Sequence, residues 1–205
     1  PRAGHLGLAR LSVHRDVIVE RLQPVIDVDG TPVILPPRAF LQATAEAEAI
    51  LGRMVVEAVG KAKAVADLFC GVGPFALRLA QKSRVHAVDD GKDAIAALDR
   101  ASRGRQGLKP ISTEARDLFR RPLLPQELAA FDCVVMDPPR AGAEAQARQI
   151  AASKLRHVVS VSCDLQSFLR DALILTAAGF RLDRVTPVDQ FSWSRHIELV
   201  GDFRR

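Results

Sequence analysis

Ala64-Val65-Ala66-Asp67-Leu68-Phe69-Cys70-Gly71-Val72-Gly73-Pro74-Phe75-Ala76 decides the fold. The apolar run over 64–69 reads as a buried strand, and the two glycines make a tight turn. Pro74 then stands where a helix opens, because its missing N–H is one that a first helical turn leaves unbonded anyway. Gly71-Val-Gly73-Pro-Phe-Ala76 fits the Gly-x-Gly-x-x-Gly/Ala pattern of strand–loop–helix units that cradle nucleotide-type cofactors. From here the pattern alternates. Strands are predicted at 64–69, 84–88, 110–114, 131–136, 157–162, 181–187 and 196–203, and helices at 74–82, 92–103, 143–152 and 165–178. Such βαβ alternation predicts an α/β fold with a doubly wound, mainly parallel seven-stranded sheet. The last two strands are joined by a short link and should form a C-terminal antiparallel hairpin.

Residues 1–39 read differently. Val17-Ile-Val-Glu20, Val25-Ile-Asp-Val28 and Val33-Ile-Leu35 are β-type, and Asp29-Gly30 between apolar runs signals a hairpin. Pro36-Pro37 breaks the chain, and the first helix starts near Thr44 with acidic residues in its opening turn. We therefore expect a small N-terminal β segment over 1–39, the remnant of a preceding domain, and a catalytic domain over 40–205. The chain opens on Pro1, which reads as a processed or trimmed chain or one domain of a longer protein.

Composition narrows the class. The 205 residues carry the apolar and charged fractions of a soluble globular protein, with no stretch long enough to span a bilayer and no signal peptide expected. The three cysteines, 70, 133 and 163, form no Cys-x-x-Cys pair, which argues against a zinc site or disulfide framework and suits a reducing cytoplasm. The net charge of +5 favours a polyanionic partner such as nucleic acid, although the positive charge is spread along the chain. No metal, no membrane and a monomeric state are expected.

In an open α/β sheet, ligands bind at the carboxyl ends of the strands. Three further strand-end features fall on that edge: Asp137-Pro138-Pro139-Arg140, Cys163 closing Val158-Val-Ser-Val-Ser162, and Glu198 in His196-Ile-Glu198. A thiol and carboxylates beside a nucleotide-type loop suggest covalent group transfer. Asp89 ends the next strand where a carboxylate can hold ribose hydroxyls. Asp67 shifts the loop away from a pyrophosphate, which it would repel, and towards the cationic amino-acid end of S-adenosylmethionine. Asp117 could accept a bond from the adenine amino group. The plain alternative for Asp89 and Asp117 is capping at strand-to-helix turns. Cys70 and Cys133 read as small buried apolar residues.

Asp137-Pro-Pro-Arg140-Ala-Gly, Ser162-Cys163, His196-Ile-Glu198 and Phe40-Leu-Gln42 together resemble the RNA (uracil-5-)-methyltransferase family, in that family's order and over residues about 33–205. The resemblance implies a Rossmann-like class I methyltransferase fold and S-adenosylmethionine as cofactor, bound by Asp67, Phe69, Gly71, Gly73, Asp89, Asp117 and Asp137. It implies 5-methyluridine as product in tRNA or rRNA. Phe40, Gln42, Asp137 and Arg140 would hold the base, Cys163 would be the nucleophile and Glu198 the base catalyst. His196 would be a structural hydrogen-bonding partner. The family's additional N-terminal RNA-binding domain and cysteine-held iron–sulfur cluster are not seen in this sequence. Where the family usually has Asn-Pro after the nucleophile, this chain has Asp164-Leu165, and a carboxylate beside a thiol should raise its pKa. Thr44 replaces an asparagine and Asp89 a more common glutamate. Two other classes stay open: a degenerate RNA- or cofactor-binding module without turnover, and an amino-methyltransferase using Asp-Pro-Pro. A nicotinamide oxidoreductase is a more distant fourth reading.

Overall fold

The computed structural model describes residues 4, 6–14, 16–191, 193–194 and 196–205. Residues 1–3, 5 and 15 of the expected N-terminal segment lie outside these, as do 192 and 195 in the last connection. The elements run β1 (Arg10–Val13), β2 (Asp16–Glu20), β3 (Val25–Val28), β4 (Thr31–Ile34), α1 (Ala45–Val59), β5 (Ala64–Leu68), α2 (Pro74–Leu79), β6 (Arg84–Asp89), α3 (Lys92–Gly104) and β7 (Ile111–Ala115). They continue with α4 (Pro125–Leu128), β8 (Cys133–Met136), α5 (Glu144–Ala152), β9 (His157–Ser162), α6 (Leu165–Ala177), β10 (Arg181–Val188) and β11 (Glu198–Arg204).

Seven strands form one sheet in the order β10-β11-β9-β8-β5-β6-β7. Pairings among β5 to β9 are parallel, while β11 pairs antiparallel with both β9 and β10. The chain leaves β5 towards β7 and then crosses back to β8, so the strand order reverses between β5 and β8. A crevice opens at such a switch point. Every residue of β5, β8 and β9 is buried, as expected of parallel strands covered on both faces. Alternate residues divide the core: Val65, Val135 and Val159 pack with α1 to α3, and Ala66, Val134 and Val158 with α5 and α6. Asp67, on the Val65 face, occupies a core position.

Thr44 caps α1, its side chain accepting from Ala47 N at 3.0 Å, and so serves the helix at the place where the family's asparagine was expected. The Asp29-Gly30 hairpin forms as predicted, with φ of 48° and 79° at its two turn residues. Its Val28 and Val33 are buried in the same cluster as Leu51, Val55 and Leu98. Arg78 ties the corner together: it is buried, pairs with Glu48 of α1, reaches Asp29 Oδ1 at 3.3 Å and donates to Pro74 O at 2.9 Å. The four-residue β1 and α4 were not anticipated, being too short for a periodic signal. α2 ends at Leu79 rather than 82, its last residues closing as turns with Lys82 N on Leu79 O at 3.0 Å.

Gly73 is the tight point of the fold. It sits at φ 86°, and a methyl group there would overlap the side chain of Leu98 on α3. Gly73→Ala should therefore cost about 2–4 kcal/mol, combining the left-handed penalty with overpacking. Denaturant unfolding of the variant should show a clearly lower midpoint, and an unchanged one would contradict this account.

Candidate active site

A cavity of about 820 Å³ opens at the switch point and along the carboxyl edge of the sheet. Its wall carries Phe40, Gln42, Phe69, Gly71, Asp89, Asp137, Arg140, Cys163, His196 and Glu198. The structure thus brings together residues from four strand ends, the segment before α1 and the β10–β11 connection. Asp67, Gly73 and Asp117, also expected at the site, are not on the wall.

The glycine loop forms one side. Cys70 N donates to Val88 O at 3.1 Å and Gly73 N to Cys70 O at 2.8 Å, which folds the loop over β6. Asp89 holds it from the next strand: Oδ2 accepts from Gly71 N at 2.9 Å and Oδ1 from Gly91 N at 2.8 Å. Each oxygen keeps a free lone pair, so this carboxylate can brace the loop and still accept from a ligand hydroxyl. A Cβ at Gly71 would meet nothing within 4 Å, so the backbone there faces open space. Phe69, at φ 63°, packs its ring against Phe119 at 5.5 Å between centroids and tilted by 56°, an apolar pair on the wall.

Beneath the loop lies Asp67, 0 % exposed, with no hydrogen-bond partner on either carboxylate oxygen. Burial and the charge of Asp137 push it well above the ordinary carboxylate range, which the nearby Ala76 N–H offsets only in part. Asp137, at the end of β8, is pushed up to about 7 by burial and by the charge of Glu198. Glu198 is 3 % exposed and raised by burial, while Gln190 Nε2, donating to its Oε1 at 2.9 Å, pulls it back down. Two acids thus lie on the crevice wall, with Asp67 buried beneath the loop behind it, and none of the side-chain ion pairs found among the described residues reaches the three. A site built this way favours a ligand that brings positive charge.

Cys163 follows β9, and Glu198 opens β11. Leu199 pairs with Ser162 at the end of the ladder, so Glu198 and Cys163 are the next residues beyond it, close enough for the Glu198 charge to act on the thiol. The thiol is half-buried and raised by burial, then by the charges of Glu198 and Asp137, with Arg140 opposing. Asp164, beside the thiol in sequence, has its Oδ1 accepting from Ser167 N at 2.8 Å as the N-cap of α6. The Asp137-Pro-Pro-Arg140 turn is locked from α6, where Asp171 Oδ2 accepts from Ala143 N at 2.6 Å.

Asp117 spends Oδ1 on its own turn, accepting from Phe119 N at 3.0 Å and Arg120 N at 3.1 Å. His196 packs edge-on to Phe191 at 6.3 Å, rather than hydrogen-bonding through its ring among the described residues. Cys70 and Cys133 are buried with raised thiols, as packing residues are. Phe40 stands 77 % exposed at the rim. Gln190 was missed by sequence reasoning: a lone amide in a connection carries no pattern. Among the described residues no group of His, Cys, Asp and Glu is placed to hold a metal, and no helix is long and apolar enough to cross a membrane.

Fold and crevice together are those of a Rossmann-like methyltransferase domain. A solved structure similar over 92% of this chain and 46% of its own is the Pyrococcus abyssi tRNA (uracil-54, C5)-methyltransferase in complex with S-adenosyl-L-homocysteine, at TM-score 0.78 and 26% identity. The family model described as tRNA (Uracil-5-)-methyltransferase matches residues 108–202. A Rhizobium meliloti protein described as an uncharacterized RNA methyltransferase is 53% identical over 98% of this chain and 49% of its own length. The 23S rRNA (uracil(1939)-C(5))-methyltransferase RlmD of Pectobacterium atrosepticum is 33% identical over 88% of this chain and 41% of its own. These comparisons support the RNA (uracil-5-)-methyltransferase family for this chain. It spans about half the length of the curated relatives it matches.

The charge of Glu198 on Cys163 has a measurable consequence. Glu198→Gln removes the larger of the two like charges, lowers the thiol pKa and so raises the thiolate fraction at a given pH. Iodoacetamide labelling of Cys163 at mildly alkaline pH should quicken severalfold, and a rate unchanged from wild type would show that the two groups are not coupled.

Proposed function

We propose that this chain transfers a methyl group from S-adenosylmethionine to carbon 5 of a uridine in tRNA or rRNA, through a covalent adduct between Cys163 and carbon 6. The observation that carries this reading is the β9–β11 register, which faces a thiol with a buried carboxylate on the wall of the cavity that the glycine loop enters. The cofactor's fit is supported by the partnerless Asp67 carboxylate and by the open space at Gly71. Asp67, Phe69, Gly71 and Asp89 would hold it, with Gly73 setting the loop. When bound, S-adenosylmethionine supplies an electrophilic methyl group and a positive charge.

Carbon 5 of uracil is a weak nucleophile. Cys163 Sγ adds to carbon 6 with loss of its proton to solvent, and the ring π electrons move to the carbon-4 oxygen as an enolate, which makes carbon 5 nucleophilic. After methylation, Glu198 takes the carbon-5 proton. The C–H electrons re-form the carbon 5–carbon 6 double bond, and the thiolate leaves with its electron pair. Burial raises the Glu198 pKa and with it the strength of that base. Asp137, at the end of β8 on the cavity wall, offers carboxylate oxygens that can accept from the N–H of a uracil edge. Phe40 and Arg140 at the rim suit stacking and a phosphate.

RNA containing 5-fluorouridine tests the reading. Fluorine at carbon 5 does not leave as a proton, so protein incubated with this RNA and S-adenosylmethionine should run as a shifted covalent band on a denaturing gel. The band should vanish with Cys163→Ala. Protein that binds the cofactor yet gives neither a band nor 5-methyluridine on any RNA would overturn the proposal. If Cys163→Ala kept full activity, the amino-methyltransferase reading would replace it.

The strained acid beneath the loop gives a second test. An acid whose pKa is raised by folding destabilises the fold once pH exceeds its unfolded value of about 4, and the penalty grows until its folded pKa is reached. Asp67→Asn should therefore raise the melting temperature of the ligand-free chain at neutral pH, with the gain fading towards pH about 4. The same change should shrink the further rise in melting temperature caused by S-adenosylmethionine. A variant less stable than wild type at neutral pH, or one binding the cofactor equally well, would refute the role given to Asp67.

A further inference from the structure

The β10–β11 connection carries an amide that joins two site residues while itself lying off the cavity wall. Gln190 Nε2 has two N–H groups. One donates to Glu198 Oε1 at 2.9 Å and the other to Gln42 Oε1 at 2.8 Å. Gln190 Oε1 is buried and has no partner. The amide thus leaves its acceptor unused to put both donors to work.

We propose that Gln190 is a positioning residue that links the Glu198 carboxylate to the amide of Gln42, turning the Gln42 N–H donors into the cavity so that the site selects a pyrimidine carbonyl over an amino group. This deepens the uracil reading above and rests on it for the identity of the base. The chain of reasoning is one of donors and acceptors. A carboxylate only accepts, so the Gln190 amino end must face Glu198. That end's second N–H then requires an acceptor from Gln42, which fixes Gln42 with its oxygen towards Gln190. The Gln42 amino end is left for the cavity, which this residue lines, and no protein acceptor for it is found among the described residues. Uracil offers a carbonyl at carbon 4 and cytosine an amino group, so two N–H donors at that edge accept the first base and clash with the second. Without Gln190, the Gln42 amide is free to flip and fit either.

The test reads the link directly. With isotope-labelled glutamine, the side-chain amide signals of Gln190 and Gln42 are followed against pH in the wild-type chain, in Glu198→Gln and in Gln190→Met. The titratable groups around Glu198 are Asp137 at the end of β8, Cys163 at the end of β9 and His196 in its own connection. Glu198→Gln separates its contribution from theirs. Both amides should titrate together in wild type and lose the shared step in Glu198→Gln, and Gln42 alone should lose it in Gln190→Met. A Gln42 signal that titrates unchanged in Gln190→Met would overturn the proposal. The second arm compares adduct formation or binding of short RNAs carrying uridine or cytidine at one position. Gln190→Met should reduce the preference for uridine by roughly tenfold or more, as expected for losing a bond to a charged group. Gln190→Glu, which also lacks the donors, should do the same, and both should keep cofactor-induced stabilisation as evidence of folding. A preference for uridine equal to wild type in both folded variants would likewise overturn it. A wild-type chain with coupled amides but no 5-methyluridine formation would sustain the link and remove the function proposed above.

Discussion

The antiparallel insertion of β11 between β9 and β10 is the constraint on which the site depends. Side chains alternate across a strand, so a one-residue slip would carry Glu198 to the opposite face from Cys163. Several features hold the register. Phe203 is fully buried and packs against Phe168 at 6.1 Å, and a Cβ at Gly201 would lie 2.9 Å from the Phe168 ring, so only glycine fits beneath it. His157 pairs with Asp202 at 2.9 Å across the ladder. Arg204 and Arg205 then reach past the sheet to carbonyls of Ala58 and Leu155, at 2.9 and 2.7 Å. The far end of the strand is clamped so that its first residue is placed.

Charge is distributed by a second logic. The chain is basic overall, yet Arg78 and Arg116 are spent inside the fold. Arg78 binds Glu48 and Asp29, while Arg116 grips Glu127 at 2.6 Å and the carbonyls of Arg121 and Pro122. In the crevice Asp137 and Glu198 take no part in the side-chain ion pairs found among the described residues, although Arg140 stands on the same wall. Leaving Asp67 partnerless in the core lowers stability, a cost proteins bear where a ligand completes the site. The same arrangement explains why Asp137 and Cys163 are both raised: each is surrounded by like charge in a place from which water is partly excluded.

The sheet and the carboxyl edge where its cavity opens were legible because their signals are local and periodic. A buried apolar run, two glycines and a proline at N1 leave few alternatives for residues 64–76, and repetition of that unit sets the topology. Cys163 and Glu198 could be brought together from strand order alone. Asp117 and Asp164 illustrate the limit: a carboxylate at a turn looks the same whether it serves a ligand or its own backbone. For Asp164 the deciding signal was present, since an aspartate just before a helical run with Ser167 three residues on is a capping arrangement. Gln190 had no such signal. Its role comes from two hydrogen bonds, one across 148 residues of sequence and one across 8, and no spacing rule reaches that far.

On the proposed reading, the raised thiol is a resting state rather than a defect. Burial, then Glu198 and Asp137, raise the Cys163 thiol and so disfavour the oxidation-prone thiolate. A positive charge entering the same crevice acts in the opposite sense on every acid there, because coupled groups titrate together. It favours ionised Asp67 and Asp137 and moves the thiol towards thiolate, offsetting the like charges that had raised it. Reactivity is thereby tied to occupancy by electrostatics alone, with no moving part required. The positions that set this coupling, at the ends of β5, β8, β9 and the start of β11, lie on four neighbouring strands that include both sides of the switch point.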